Sequence, residues 1–320
     1  MKTETIYLIK GRTDVWLKTY IWDDSKQLLN GKKRPAVIVL PGGGYLQAGD
    51  NEGEPTALKF ASMGYHAFVL HYSTYNFSFE EFYGLFANLN GTKEQTAEYL
   101  KKYPPKETCL YPCPMLDVGR AFLKIREHAD EWLVDADRIA LCGFSAGAHN
   151  AAMYCANWQN TILTDALHCA KEQLKPASLI LGYVVGDYGL MNSFMDKVPA
   201  PIAEFFQISN QIYTGNPVPS EEIAAAASPA RLVTESMPPT FLWACANDSL
   251  VPVQNTLAMA NALADHNVPF EIHVFENGAH GIGLGTQASA AAAEQIFEEA
   301  GAWSDLAGKW LMKRFALPLE

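Results

Sequence analysis

The chain has 320 residues, of which 49% are hydrophobic and 18% charged, a composition typical of a globular protein with a substantial core. Its net charge of −11 disfavours nucleic acid and anionic membrane surfaces as partners, because binding to phosphate groups depends mainly on Lys and Arg. No run approaches the ~18 apolar residues of a membrane-spanning helix, and the N-terminus lacks the apolar core of a signal peptide, so we expect a cytoplasmic protein.

Early in the chain, short apolar runs bounded by Gly and Pro predict strands. Thr5–Ile9 and Val15–Trp22 alternate partly between apolar and polar residues, which favours a hairpin at the edge of a sheet. The unbroken run Ala36–Leu40 is typical of a strand that is buried on both faces of a parallel sheet. A helix is predicted over Glu54–Met63 and a further strand over Tyr65–Tyr72.

A long irregular segment rich in aromatic residues, Ser73–Pro114, follows these elements, with a helix predicted inside it over Thr92–Lys102. After it come an amphipathic helix over Met115–His128, a strand over Asp137–Phe144 and a helix over Ala146–Trp158. Segments of this length with little regular structure are usually functional. We therefore expect the aromatic segment to form part of a cap or pocket wall.

The second half of the chain continues the alternation of strands and helices. Strands are predicted over Leu179–Val185, Thr240–Ala244 and Phe270–Phe275, and helices over Gln254–His266 and Ala288–Lys313. A second irregular segment, Tyr188–Ala227, interrupts this pattern. Such alternation predicts an α/β fold with a mostly parallel central sheet and helices on both faces. In the absence of a linker or internal repeat, we expect one domain over residues 1–320, with cap-forming insertions at about 73–114 and 188–227.

The six cysteines are scattered along the chain, and several of them lie in apolar runs. We therefore expect buried free thiols rather than disulfides. Cys109 and Cys113 are close in sequence, but no second Cys or His pair lies nearby, so the sequence predicts no metal site. No organic cofactor is implied either.

Candidate functional residues follow four of the predicted strands. The glycines Gly42–Gly44 follow one strand, and Ser145, Asp248 and His280 each follow another. In an open parallel sheet, the carboxyl ends of the strands lie along one edge, where ligands bind, so these loops can converge. A serine hydroxyl becomes a nucleophile when a histidine accepts its proton, and a carboxylate fixes the tautomer of that histidine.

The segment Gly-Phe-Ser-Ala-Gly, residues 143–147, lies between a strand and a helix. A serine on such a tight turn stands clear of the sheet, and glycines at the flanking positions avoid clashes with the neighbouring backbone. The start of the following helix presents the N–H of Ala146 to a developing oxyanion. The glycine run at residues 42–44 lets further backbone amides approach the same oxygen.

Three motifs carry a resemblance to a known family: PGGGY at residues 41–45, GFSAG at 143–147, and ANDSLVPV at 246–253 followed by NGAHG at 277–281. From about Ala36 to its C-terminus the chain resembles the α/β-hydrolase fold. It is most similar to small carboxylesterases and acetyl esterases related to hormone-sensitive-lipase-type and xylan-deacetylating enzymes. The order Ser, Asp, His is that of this fold. Pro41 stands where lipase-type relatives have a histidine before the glycines, so the chain departs from the lipase branch there.

The resemblance implies a catalytic triad in which Ser145 is the nucleophile, His280 the base and Asp248 the acid that orients it. It also implies an oxyanion hole built from the N–H groups of Gly43, Gly44 and Ala146. It predicts a small-molecule ester as substrate, with acetyl groups on sugars or xylan-type oligosaccharides favoured by family analogy alone. Tyr45, beside the glycine loop, is expected to line the acyl side of the site.

Several alternatives remain open from the sequence. Asp187 also ends a predicted strand and competes with Asp248 as the triad acid. The same triad would serve an amide or peptide hydrolase of the arylformamidase or aminopeptidase type, which differs only in the pocket. An inactive hydrolase-fold binding protein is a further alternative, although such proteins usually lose a triad member and all three are present here. The oligomeric state does not follow from the sequence.

Overall fold

Eight strands form one continuous sheet in the computed structural model, which describes residues 1–317. They are β1 (Thr5–Tyr7), β2 (Trp16–Tyr20), β3 (Arg34–Leu40), β4 (His66–His71), β5 (Val134–Phe144), β6 (Ser178–Gly182), β7 (Thr240–Cys245) and β8 (Phe270–Phe275). Their spatial order is β1-β2-β4-β3-β5-β6-β7-β8. The first two strands pair antiparallel, β2 also pairs antiparallel with β4, and all later pairs are parallel. The carboxyl ends of β3, β5, β6, β7 and β8 therefore lie along one edge.

Helices cover both faces of this sheet. They are α1 (Asp50–Ser62), α2 (Phe79–Asn88), α3 (Lys93–Lys102), α4 (Cys113–Glu127), α5 (Ala146–Asn157), α6 (Thr161–Leu167), α7 (Tyr188–Phe194), α8 (Ala200–Thr214), α9 (Glu221–Ala226), α10 (Gln254–Asp265), α11 (Glu298–Gly301) and α12 (Trp303–Phe315). The predicted α/β fold with a mostly parallel sheet is confirmed. Within residues 1–317, every helix is too short or too polar to span a lipid bilayer.

The two faces of the sheet bury separate hydrophobic cores. Strand β3 shows how one strand serves both, because all seven of its residues are buried. Ile38 packs in the core with α4, α5 and α10, whereas Val37 and Val39 pack with α1 and α12. This two-sided burial explains why the central strands are continuous apolar runs rather than alternating ones.

The two irregular insertions fold into short helices that meet above the carboxyl edge of the sheet. Helices α2 and α3 come from the first insertion, and α7, α8 and α9 from the second. Phe86 of α2 packs against Phe205 of α8 with ring centroids 4.5 Å apart. The side-chain amide of Gln211 in α8 donates to the carbonyls of Leu100 and Tyr103 at the end of α3. The insertions are therefore held together by both apolar and polar contacts.

The prediction of a continuous helix over Ala288–Lys313 is wrong, because α12 begins only at Trp303. The alanine-rich part has high helix propensity, but the side chains of Ser289 and Gln295 within it bond to backbone groups and compete with the helix. Ser289 accepts from the N–H of Leu284 and donates to the carbonyl of Ile282, both at 3.0 Å. These bonds hold the segment against the preceding loop instead. The six cysteines are free thiols, and four of them are buried.

Candidate active site

Ser145 lies on the tight turn between β5 and α5, with φ 50° and ψ −120°. A non-glycine residue at positive φ is strained, and the surrounding structure has to hold it there. The N–H of Ser145 donates to the carbonyl of Gly182 at 3.0 Å, which ties the turn to β6. Gly147 is required at its position, because a Cβ there would lie 2.1 Å from the carbonyl oxygen of Leu40.

The structure brings Ser145, His280 and Asp248 together in one hydrogen-bonded chain. Ser145 Oγ lies 2.8 Å from His280 Nε2, and His280 Nδ1 lies 2.8 Å from Asp248 Oδ2. The other oxygen of Asp248 accepts from the N–H groups of Leu250 at 2.8 Å and Val251 at 3.0 Å. The carboxylate is thus fixed on both sides. Because it faces Nδ1, the proton of a neutral His280 resides there, and Nε2 is left to accept the hydroxyl proton of Ser145.

His280 and Asp248 each stabilise the charged form of the other. Burial on its own would lower the pKa of His280, but the facing Asp248 carboxylate raises it, and the net effect is a pKa above the ordinary 6.5. Burial would raise the pKa of Asp248, but His280 and the two backbone N–H groups outweigh this, so its pKa is lowered. The pair therefore favours a carboxylate beside an imidazole that gains a proton readily.

Asp187, the alternative acid, has other partners. Its carboxylate forms an ion pair with Arg231 and accepts from the N–H of Leu190 at the start of α7. Both ring nitrogens of His280 are already engaged by Ser145 and Asp248. The geometry therefore favours Asp248.

The glycine loop after β3 lies beside Ser145. A Cβ on Gly42 would lie 2.8 Å from that of Ser145, and one on Gly43, where φ is 128°, would lie 2.4 Å from the carbonyl oxygen of Gln47. Among the described residues, the N–H groups of Gly43 and Gly44 have no hydrogen-bond acceptor. The N–H of Ala146, at the first position of α5, has no acceptor within the helix. Gly43, Gly44 and Ala146 thus each carry an N–H group without a hydrogen-bond acceptor among the described residues.

A cavity of about 330 Å³ opens from Ser145 and His280 toward the two insertions. Its walls carry aromatic side chains from both insertions: Phe82, Tyr83, Phe86, Tyr188, Phe205 and Phe206. Leu250, Val251 and Met191 add aliphatic and thioether surface. The cavity is therefore a mainly apolar space next to Ser145, His280 and the three unpaired amides.

His149 and its contacts with Tyr45 are a part of the site that the sequence did not reveal. The ring Nε2 lies 2.7 Å from the carbonyl of Ala227, which can only accept, so Nε2 carries the proton and Nδ1 accepts from the hydroxyl of Tyr45 at 2.6 Å. Burial lowers the pKa of His149 from 6.5 to about 4, which keeps the ring neutral. Tyr45 lines the cavity, and its ring stacks on that of Tyr213 at 4.3 Å. The hydrogen bond between Tyr45 and His149 thus connects the end of the glycine loop to α5.

Glu52 is a second carboxylate in the site that sequence analysis missed. It is 4% exposed, and its oxygens accept from the N–H of Gly42 and the hydroxyl of Tyr183, both at 2.5 Å. The Tyr183 hydroxyl also accepts from the N–H of Gly283, and its ring lies 4.7 Å from that of His280. Burial raises the pKa of Glu52. Because α1 begins four residues before the predicted start, the sequence pattern placed Glu52 in a loop and gave no sign of its burial.

Comparison with known proteins identifies relatives of this chain. A family model described as BD-FAE matches residues 92–263, just over half of the chain. Endo-1,4-beta-xylanase B of Butyrivibrio fibrisolvens is 28% identical over 253 residues, which cover 78% of this chain and 33% of that protein. The chain therefore spans about a third of the length of that relative.

Solved structures match over nearly the whole chain. The carboxylesterase Cest-2923 of Lactobacillus plantarum superposes with a TM-score of 0.73 at 24% identity, covering 100% of both chains, and shares the fold. An acetyl ester-xyloside bifunctional hydrolase from Caldicellulosiruptor lactoaceticus has a TM-score of 0.67 at 28% identity, covering 97% of this chain and 96% of that one. The eight-stranded sheet is thus that of the α/β hydrolases.

Proposed function

The chain belongs to the BD-FAE family, and on this premise we propose that it is a serine esterase that hydrolyses short-chain carboxylic esters. The observation that carries the proposal is the hydrogen-bonded chain from Ser145 through His280 to Asp248, with both links at 2.8 Å. These three hydrogen-bonded residues lie at a mainly apolar cavity, beside three amides that have no acceptor. A nucleophile, an oriented base and a site for a developing oxyanion are the parts that acyl transfer requires.

In the acylation step, Ser145 Oγ forms a bond to the ester carbonyl carbon while its proton passes to His280 Nε2. The carbonyl oxygen gains the electron pair and is stabilised by the N–H groups of Gly43, Gly44 and Ala146. When the tetrahedral intermediate collapses, the bond to the alcohol oxygen breaks, and the imidazolium of His280 protonates that oxygen. The Asp248 carboxylate stabilises the imidazolium throughout.

Deacylation repeats these steps with water. His280 takes a proton from a water molecule, whose oxygen attacks the acyl-enzyme carbonyl, and the proton then returns to Ser145 Oγ as the carboxylic acid leaves. The net reaction consumes one ester and one water and releases one acid and one alcohol. No other reactant is needed.

The cavity supports a short acyl group. Its volume of about 330 Å³ is at the low end of the range for ligand pockets, and bulky side chains from both insertions bound it. We extend the proposal to the chain as one domain, in which residues 73–114 and 188–227 act as a cap over the acyl site. Acetyl groups on sugars are the favoured substrate, in line with the names of the bifunctional hydrolase and the xylanase above.

The test is a series of 4-nitrophenyl esters from acetyl to dodecanoyl, together with an acetylated aryl amide, assayed on the wild type and on Ser145→Ala. We expect acetyl and butyryl esters to be turned over fastest, and kcat of S145A to fall by at least about 10³-fold. A fluorophosphonate probe should label the wild type and leave S145A unlabelled. Faster turnover of the amide than of the esters would overturn the proposal, and so would failure of the wild type to be labelled.

A further inference from the structure

Two polar side chains in the wall of the catalytic cavity carry a group without a hydrogen-bond partner, and both come from the second insertion. Tyr188, at the start of α7, and Asn210, in α8, line the cavity, and each is only 4% exposed. The Tyr188 hydroxyl and the Asn210 Oδ1 atom have no partner among residues 1–317, yet neither atom is fully enclosed by protein. Since both residues line the cavity, these two atoms are accessible from it.

The fixed contacts of each side chain define what its remaining group can do. The Nδ2 atom of Asn210 donates to the carbonyl of Pro217 at 3.2 Å, so Oδ1 is the end that remains, and it can only accept. The ring of Tyr188 packs edge-on against the ring of His149, with centroids 5.2 Å apart. Burial raises the pKa of Tyr188, so its hydroxyl keeps the proton and can donate as well as accept.

The other buried polar side chains of this cavity are already paired. Tyr45 and Glu52 are bonded as described above, and the Ser209 hydroxyl donates to the carbonyl of Gly44 at 2.8 Å. Tyr83 also lines the cavity, but it is 48% exposed, so water satisfies its hydroxyl. Within the described part of the chain, the groups of Tyr188 and Asn210 are therefore those that a ligand is left to satisfy.

Tyr188 lies within reach of an acyl group on Ser145. Its neighbour His149 lies one helical turn after Ser145 in α5, and the N–H of His149 donates to the carbonyl of Ser145 at 2.9 Å. One helical turn corresponds to about 5.4 Å, a length that an acyl chain of about three or four carbons spans. An acetyl group is shorter than this distance.

The chemistry of the two groups selects among the acyl chains that are long enough to reach them. An alkyl chain placed there would leave a donor and an acceptor buried and unpaired, which weakens its binding. A carboxylate is disfavoured, because no Lys or Arg of the described residues lines the cavity to balance its charge. A hydroxyl group accepts from Tyr188 and donates to Asn210 Oδ1, so it satisfies both.

We propose that the cavity accepts short acyl groups that carry a hydroxyl, and that Tyr188 and Asn210 bind this hydroxyl. The inference rests on the proposed esterase function and names the class of acyl group that the function leaves open. Turnover of acetyl esters does not depend on the two residues, since the acetyl group does not reach them. Tyr188 and Asn210 determine the specificity between hydroxyacyl and alkyl esters of equal length.

The experiment compares two 4-nitrophenyl esters of equal chain length, butyrate and the faster enantiomer of 3-hydroxybutyrate. Tyr188→Phe removes the hydroxyl and keeps the ring, and Asn210→Ala removes the acceptor. Tyr213→Phe is the matched control, because the Tyr213 hydroxyl is also buried without a partner in the described residues but does not line the cavity. We expect the ratio of kcat/KM for hydroxybutyrate to that for butyrate to fall about 10-fold in Y188F and about 3-fold or more in N210A. In Y213F it should stay within about 2-fold of the wild type.

The outcomes separate the two proposals. A ratio measured on one preparation does not depend on the folded fraction of the enzyme, so a loss of stability does not imitate the effect. If the wild type hydrolyses 4-nitrophenyl acetate but the ratio is unchanged in Y188F and N210A, the hydroxyacyl proposal is wrong and the esterase proposal stands. An equal fall of the ratio in Y213F would overturn it as well. Should one variant be inactive on both esters, the other decides. If the wild type hydrolyses none of the three esters, the esterase proposal itself fails.

Discussion

Asp248 and Asp187 both follow strands, but their surroundings differ in one decisive contact, the bond from Asp248 to His280 Nδ1. We expect Asp248→Asn to lower kcat for 4-nitrophenyl acetate by about 10³- to 10⁴-fold, because an amide favours the wrong tautomer of His280. The matched control, Asp187→Asn, weakens the ion pair with Arg231 and should leave kcat within about 3-fold. Steady-state kinetics of the two variants checks this, and the opposite ranking would assign the acid to Asp187.

The raised pKa of His280 predicts the acid limb of the pH profile. Since the base acts only when unprotonated, kcat/KM should fall as the pH drops through the pKa of His280 in the free enzyme, with a midpoint above 6.5. The Asp248 carboxylate is the cause of the increase, so in D248N the residual activity should have its midpoint at lower pH than the wild type. A pH series from 5 to 9 measures both, and an unmoved midpoint would mean that the carboxylate does not set this pKa.

We expect Glu52 to be a positioning residue, because it bonds to Gly42 and Tyr183 and has no hydrogen bond to Ser145 or His280. In Glu52→Gln the amide nitrogen cannot accept a hydrogen bond, so either the N–H of Gly42 or the Tyr183 hydroxyl loses its acceptor. One unsatisfied buried group costs about 1–3 kcal/mol. We expect kcat to fall about 10-fold with little change in KM.

The pH profile distinguishes a positioning role of Glu52 from a purely structural one. Its charge also raises the pKa of His280, so the acid limb of E52Q should move to lower pH. Tyr183→Phe is the matched comparison, since it removes the hydroxyl but keeps the carboxylate. If E52Q changed only thermal stability and left both kcat and the pH midpoint unaltered, Glu52 would have no role in positioning.

At the scale of elements, the contact between α2 and α8 forms part of the wall of the cavity that we propose for the acyl group. Phe205 is 3% exposed, packs on Phe86 and lies beside Gly44, so Phe205→Ala should open the wall next to the oxyanion site. We expect the preference to shift from acetyl toward hexanoyl and octanoyl esters, with a loss of stability of about 3 kcal/mol. Phe79→Ala is the control, because Phe79 lies on the same α2 but is 65% exposed. An unchanged chain-length profile in F205A would place the acyl group elsewhere.

The elements that the sequence predicted best are those with a local cause. Strand β3 and the turn at Ser145 follow from a continuous apolar run and from flanking glycines, and both lie where the pattern put them. The helix over Ala288–Lys313 failed because alanine propensity is weak beside specific tertiary bonds, such as those of Ser289. Strand β6 likewise ends at Gly182, earlier than predicted, because Tyr183 turns away with φ 37°.

Over the whole molecule, some residues of the site belong to a sequence motif, whereas others are identified only by their contacts in the folded structure. Ser145, Asp248 and His280 stand at strand ends, so the order of strands and helices suffices to bring them together. Glu52 and His149 lie inside helices. Glu52 bonds to Tyr183, which is 131 residues away in sequence, and His149 bonds to Ala227, which is 78 residues away. No local pattern encodes such contacts.

Buried neutral histidines predict how the stability of the whole molecule depends on pH. His149 and His66 both have a pKa of about 4 in the folded chain, against 6.5 for an ordinary histidine, and burial is the main cause. Between these values the unfolded chain binds more protons than the folded one, so each histidine lowers the free energy of unfolding as the pH falls from 6.5 toward 4. The full effect is about 3 kcal/mol for each histidine.

His149→Gln isolates this contribution, because glutamine can donate to the carbonyl of Ala227 and accept from Tyr45 without titrating. We expect the variant to be less stable than the wild type at pH 8, where packing alone differs. The difference in free energy of unfolding between the wild type and the variant should narrow by about 2–3 kcal/mol as the pH falls to 4.5. Only the wild type has a histidine here that binds its proton more weakly when folded. Urea denaturation at several pH values measures it. Parallel stability curves for H149Q and the wild type would show that His149 takes up its proton equally in the folded and unfolded chains.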